Sequence, residues 1–163
     1  MIKAAIFLIV ATAQDGEPRP HSLDLFMLDV AEACLLPDLD KVDPRLYLSS
    51  HGWARKGQGD TFEKRVGKAA YTVAIEWPAS KKSSASCSFD SDDTPAVEVY
   101  DWFRRRIGEP QDIVWSEQQI GGWKMQTNGH DAGVYVSRKR TIGKVNAGMM
   151  LHVLQGYASR KRK

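Results

Sequence analysis

YTVAIEW, Tyr71 to Trp77, sets Tyr71, Val73, Ile75 and Trp77 in alternation with Thr72, Ala74 and Glu76. A period of two puts the large apolar residues on one face of a strand and predicts that only that face is buried. Pro78 stops the run, and PASKKSS makes a polar turn into SSASCSFDS, Ser83 to Ser91. There Ala85, Cys87 and Phe89 alternate with Ser84, Ser86 and Ser88. The second run is again a strand with one apolar face, and Cys87 lies on it. Two such strands need helices to cover them.

Working outward, the sequence supplies the helices. Ser22 is a helix-capping residue, and Asp24 adds negative charge in the first turn. Leu23, Phe26, Met27, Val30, Ala33 and Cys34 then recur at three and four, on one face, until Pro37 ends the helix. Asp43-Pro44 predicts a short second helix through about His51. Gly52, Gly57 and Gly59 break the pattern, so HGWARKGQGDTFEKRVGK reads as a loop or a loosely helical segment. Thr94-Pro95 opens a third helix whose core face is Ala96, Val99, Tyr100, Phe103 and Ile107, closed by Gly108 and Pro110. DIVWSEQ, GWKMQTN, AGVYVSRKR and KVNAGMMLHVLQG read as four further strands, with turns at Gly121-Gly122, Asn128-Gly129 and Ile142-Gly143. No internal repeat is visible. The expected fold is α+β: an antiparallel sheet of about six strands with two or three helices packed on one face.

A chain of 163 residues holds one domain with a hydrophobic core. A net charge of +3 is too small to mark a dedicated nucleic-acid binder, and nucleic acid is not an expected partner. At the N-terminus, Lys3, the apolar run Ala4 to Val10 and the small-x-small triplet Ala11-Thr12-Ala13 have the order of a secretory signal. The same run, AAIFLIV, also has the length of a buried strand, which would make the protein cytoplasmic. It is too short for a transmembrane anchor. Residues 1–13 are read as a signal peptide, 14–21 as a solvated lead-in, 22–157 as the single domain and 158–163 as a basic disordered tail. The expected location is periplasmic or secreted.

The two cysteines, Cys34 and Cys87, are far apart and lack the close spacing of a metal site. Neither has the electropositive setting that would make a thiolate nucleophile. Both project from apolar faces of elements that should pack together, so a disulfide is expected if the protein is exported, and two buried thiols if it is not. No cofactor is implied. His21, His51, His130 and His152 are scattered, and no glycine-flanked nucleophile, dinucleotide fingerprint or paired-carboxylate signature is present. His130 falls at a turn, and His152 in an apolar strand where a satisfied, partly buried side chain is the simpler role. Arg104, Arg105 and Arg106 fall in the last turn of a helix, where cations suit the carbonyl end. Trp102, placed off the main core face, and Trp53, in the glycine-rich loop, are candidates for an exposed binding surface with Arg55, Arg105 and His130.

DVAEACLL in the first helix, HGWARKG in the following loop and SCSF in a strand resemble the layout of small exported hypothetical proteins common in proteobacteria. The resemblance spans Ser22 to about Ile107. It implies an exported α+β domain with a disulfide, and it carries no activity and no catalytic residues. The expected function is therefore an exported, non-enzymatic domain that binds a small ligand or a protein partner. The alternatives are a hydrolase using His130 or His152, and a weak binder of anionic surfaces or nucleic acid through Arg104 to Arg106 and the tail.

Overall fold

The computed structural model describes residues 22–35, 43–76, 85–127 and 130–155. The expected signal peptide, the lead-in, the helix end at Pro37, the PASKKSS turn, the Asn128-Gly129 turn and the basic tail lie outside the described residues.

The elements are α1 (Ser22–Val30), a π-helical turn (Ala31–Leu35), α2 (Pro44–Ser50), β1 (Ala54–Arg55), β2 (Thr61–Val66), β3 (Ala69–Glu76), β4 (Ala85–Pro95), α3 (Ala96–Ile107), β5 (Gln119–Thr127), β6 (His130–Thr141) and β7 (Lys144–Gln155). The fold is α+β. All strands join one antiparallel sheet in the order β1-β2-β3-β4-β7-β6-β5. A four-stranded meander, β1-β2-β3-β4, follows α2 and a three-stranded one, β5-β6-β7, follows α3, and the two meet at β4 and β7.

The sheet has seven strands rather than about six. The segment read as a loop holds β1 and β2, and the period of two in TFEKRV is hidden because Lys64 shares the inward face with Phe62 and Val66. Lys64 is tolerated there because its ammonium reaches the carboxylate of Asp29 on α1 at 2.6 Å. DIVWSEQ, by contrast, is not a strand. It belongs to a loop between α3 and β5 that runs along the outer edge of the sheet, where the Gln111 N–H donates to the Gly122 carbonyl at 2.8 Å.

Gly121-Gly122 is not a turn but lies within β5. A Cβ on Gly121 would stand 2.6 Å from the Tyr100 ring, and one on Gly122 would stand 2.7 Å from the Trp115 ring. The two glycines face opposite sides of the sheet, and each leaves room for an aromatic ring. Ile142-Gly143 does turn the chain between β6 and β7, with Gly143 at φ 76°.

The core lies between the helices and one sheet face. Phe26 of α1 stacks on Tyr71 of β3 with ring centroids 4.0 Å apart and meets Phe89 of β4 edge-on at 5.5 Å. All three rings are buried, Phe26 completely, and burying a side chain of that size stabilises by about 2–3 kcal/mol. Asp43 caps α2 by accepting from the Arg45 N–H at 2.9 Å. The Arg45 guanidinium, bound to the same carboxylate, holds the Asp43 pKa below its ordinary value. α3 buries Ala96, Val99, Trp102 and Phe103, while Tyr100 and Ile107 are half-buried.

Cys34 and Cys87 form a disulfide, with Cα atoms 6.3 Å apart. It ties the π-helical turn to the central strand β4.

Candidate functional site

Two of the sequence-predicted binding residues, Trp53 and Trp102, are buried rather than exposed. Trp53, expected in an exposed loop, is 3% exposed and donates its indole N–H to Asp29 at 2.9 Å. Trp102, expected off the core face, is 6% exposed and donates to Asp24 at 2.9 Å. The core face of α3 is wider than its spacing suggested because α1 packs beside it and brings Asp24 to the indole. Arg106 lies over the Trp102 ring at 4.2 Å and also reaches Asp24 at 3.2 Å. Arg104 pairs with Asp101 and Glu109, and Arg105 beside it is exposed. Arg55 folds back on the adjoining turn, donating to the Gly59 carbonyl at 3.0 Å and to Asp60 at 3.2 Å. His130 begins β6 opposite Thr127, and its side chain lies outside the described residues.

The other sheet face is different. One row of cross-strand neighbours runs Gly122, Tyr135, His152, Ser88, Ala74 and Thr61, from β5 to β2. All its side chains lie opposite the helices, because Phe89, Leu151 and Val136, one residue along, point into the core. Tyr135 and His152 stack with centroids 4.4 Å apart and planes 12° from parallel. Trp115 continues the stack beside Tyr135 at 5.5 Å. The Ser88 hydroxyl lies 3.0 Å from His152 Nδ1, donating or accepting according to the tautomer of the ring.

Trp115 comes from the loop, and several polar contacts set it there. Its backbone N–H donates to the Gln119 side-chain oxygen at 2.9 Å. The Gln111 amide pairs with the backbone of Lys124, accepting and donating at 3.3 Å, in the way a neighbouring strand would. Gly122 and Gly133 carry no Cβ where the indole lies, and a Cβ on Gly133 would be 3.2 Å from the ring.

Beside this aromatic wall is a floor of small residues, with Thr72, Ala74, Ser86 and Ser88 all half-buried. Lys139 bounds it, held by Asp90 at 2.7 Å and Asp92 at 3.1 Å. Burial lowers the Lys139 pKa, but hydrogen bonds to both carboxylates outweigh it and the net shift is upward. Burial lowers the His152 pKa below 6.5, against a smaller opposing pull from Glu76. The ring is therefore neutral at pH 7, with one donor and one acceptor nitrogen. Burial also raises the Tyr135 pKa, so its hydroxyl stays protonated.

A cleft of about 320 Å³ lies between the starts of α1 and α3, with Ser22, Lys68, Asp93, Thr94 and Glu98 in its wall. Its charges are of both signs. The Thr94 hydroxyl donates to Tyr71 at 3.0 Å. Among the described residues no three His, Cys, Asp or Glu side chains gather as a metal site, and no helix is long and apolar enough to cross a membrane.

No protein-family model, curated protein or solved structure matches the chain.

The aromatic row was missed from sequence, although both halves of its signal are there. Ser86 and Ser88 alternate out of phase with Cys87, and His152 falls between Leu151 and Val153. What the sequence lacks is the register that sets Ser88 opposite His152 and His152 opposite Tyr135.

Proposed function

We propose that this chain is an exported, non-enzymatic binding domain that takes a small flat ligand on the sheet face opposite its helices. The observation that carries the reading is the Trp115, Tyr135 and His152 stack, kept open by Gly122 and Gly133 beside a floor of small residues. Stacked rings offer a π-surface to a planar group. Ser88, neutral His152 and the Tyr135 hydroxyl offer donors and acceptors to its edge. A partner protein presenting an aromatic side chain would use the same face. The disulfide supports export, since such bonds persist in oxidising compartments.

The test is a titration of purified disulfide-bonded protein with small planar aromatics such as indole and p-cresol, followed by NMR. The reading expects shifts at Trp115, Tyr135 and His152 while the Trp53 and Trp102 indole signals stay still. Shifts confined to the helical face, or none at millimolar probe, refute it.

A hydrolase is the second reading, favoured by the Ser88 hydroxyl at His152 Nδ1. Against it, β4 is paired on both sides of Ser88, so the surrounding main-chain amides are committed to the ladder rather than free to hold an oxyanion. Ester hydrolysis lost in Ser88→Ala would favour this second reading over binding.

A further inference from the structure

The β6–β7 hairpin outruns its sheet. The last register partner of β6 in β5 is Ser137 opposite Gln119, and the last of β7 in β4 is Gly148 opposite Pro95. Beyond them Arg140 pairs with Val145 and Thr141 with Lys144, as a two-stranded ribbon with no further strand beside it among the described residues. At the rise of a β-strand it projects roughly 10 Å. Its root is fixed: a Cβ on Gly148 would meet the Ser91 carbonyl oxygen at 2.7 Å, and Lys139 is bound to Asp90 and Asp92.

The tip has an unusual composition for a solvated turn. Ile142 is fully exposed at the apex, and Val145 is 54% exposed. Arg138 and Arg140 flank them, both exposed, and the chain has no acidic residue after Asp131. We propose that this ribbon docks the protein onto an anionic lipid surface, with Ile142 entering the interface while Arg138 and Arg140 meet phosphate headgroups. An apolar apex with cations set back from it matches a bilayer surface, whose charge lies outside its hydrocarbon. Arginine stems can lie along the apolar layer while their heads stay with the phosphates. A nucleic acid would satisfy the cations but not the apex, and a disulfide-bonded domain suits an oxidising compartment. The proposal goes beyond the ligand-binding reading and does not depend on it.

The experiment is co-sedimentation of the full chain with vesicles of phosphatidylcholine alone, or of equal parts phosphatidylcholine and phosphatidylglycerol, with a short DNA duplex as competitor. Retention on the phosphatidylglycerol vesicles, weakening as salt rises, is expected. Arg140→Gln should lower partition about fivefold and Ile142→Ser about tenfold, both with an unchanged urea midpoint. Removing residues 158–163 should leave the dependence on Ile142 intact. The proposal is overturned by equal retention on neutral vesicles, by wild-type partition in both variants, by binding that depends only on residues 158–163, or by release to the duplex.

Discussion

Asp29 and Trp53 are joined across the core: the buried carboxylate of α1 accepts the indole N–H at 2.9 Å, and the same oxygen receives the Lys64 ammonium at 2.6 Å. One side chain thus anchors α1 to the start of β1 and to β2. Asp29→Ala leaves a buried indole N–H and a largely buried ammonium without their acceptor. The loss should be about 2–4 kcal/mol of stability, read from urea unfolding. Asp29→Asn keeps an acceptor for the indole and should cost less. Equal costs for the two variants would show that the neutral acceptor contributes nothing and that the carboxylate's charge carries the anchor.

The Cys34–Cys87 disulfide closes a loop across a sequence separation of 53 residues. Chain entropy predicts that it stabilises the fold by about 4 kcal/mol. Urea titrations with and without reductant should differ by that order, and intact mass should rise by two hydrogens on reduction. An unshifted midpoint after full reduction would mean that packing alone holds the π-helical turn against β4.

Gly122→Ala should expel Trp115 from the sheet face, because the new methyl would overlap the indole at 2.7 Å. Overpacking of this kind costs about 1–3 kcal/mol. The predicted signature is a change in near-ultraviolet circular dichroism and weaker binding of planar probes. Gly121→Ala pushes instead on Tyr100, at 2.6 Å, on the helical face. It should destabilise the protein while leaving the Trp115 and Tyr135 stack in place.

His152 makes stability fall with acid. Burial holds its folded pKa below the ordinary 6.5, so between those two values the unfolded chain binds the proton more readily. Stability is full above about 6.5 and declines as pH falls through that window. The urea midpoint should drop between pH 7.5 and 5, and His152→Gln should flatten that part of the curve. An identical slope in the variant would assign the acid sensitivity to other groups.

Much of the fold was legible in local pattern. The alternation in Tyr71 to Ile75 and in Cys87 to Phe89, the three-and-four spacing from Leu23 to Cys34, and the Asp43-Pro44 start all appear as the elements they predict. Two inward-facing positions allowed either a Cys34–Cys87 disulfide or two buried thiols, and the structure holds the disulfide. Lys64 hid a strand, because a charge on an apolar face breaks the alternation unless its partner Asp29 is known. Gly121-Gly122 imitated a turn, because glycine marks close approach as well as reversal, and the approaching Tyr100 and Trp115 are distant in sequence.

By itself, then, the sequence determined which residues face inward where the period is unbroken, as along β3 and α1, since period and capping are local consequences of backbone geometry. It did not do so at Trp53, Lys64 or Trp102. Tertiary structure alone decided which outward residues become neighbours. Ser88, Tyr135 and His152 lie on three strands, and only the register of β4, β7 and β6 sets them in one row. That register is chosen by the packing of the opposite face, where Phe89, Leu151 and Val136 meet under the helices. The candidate site is the reverse side of the core.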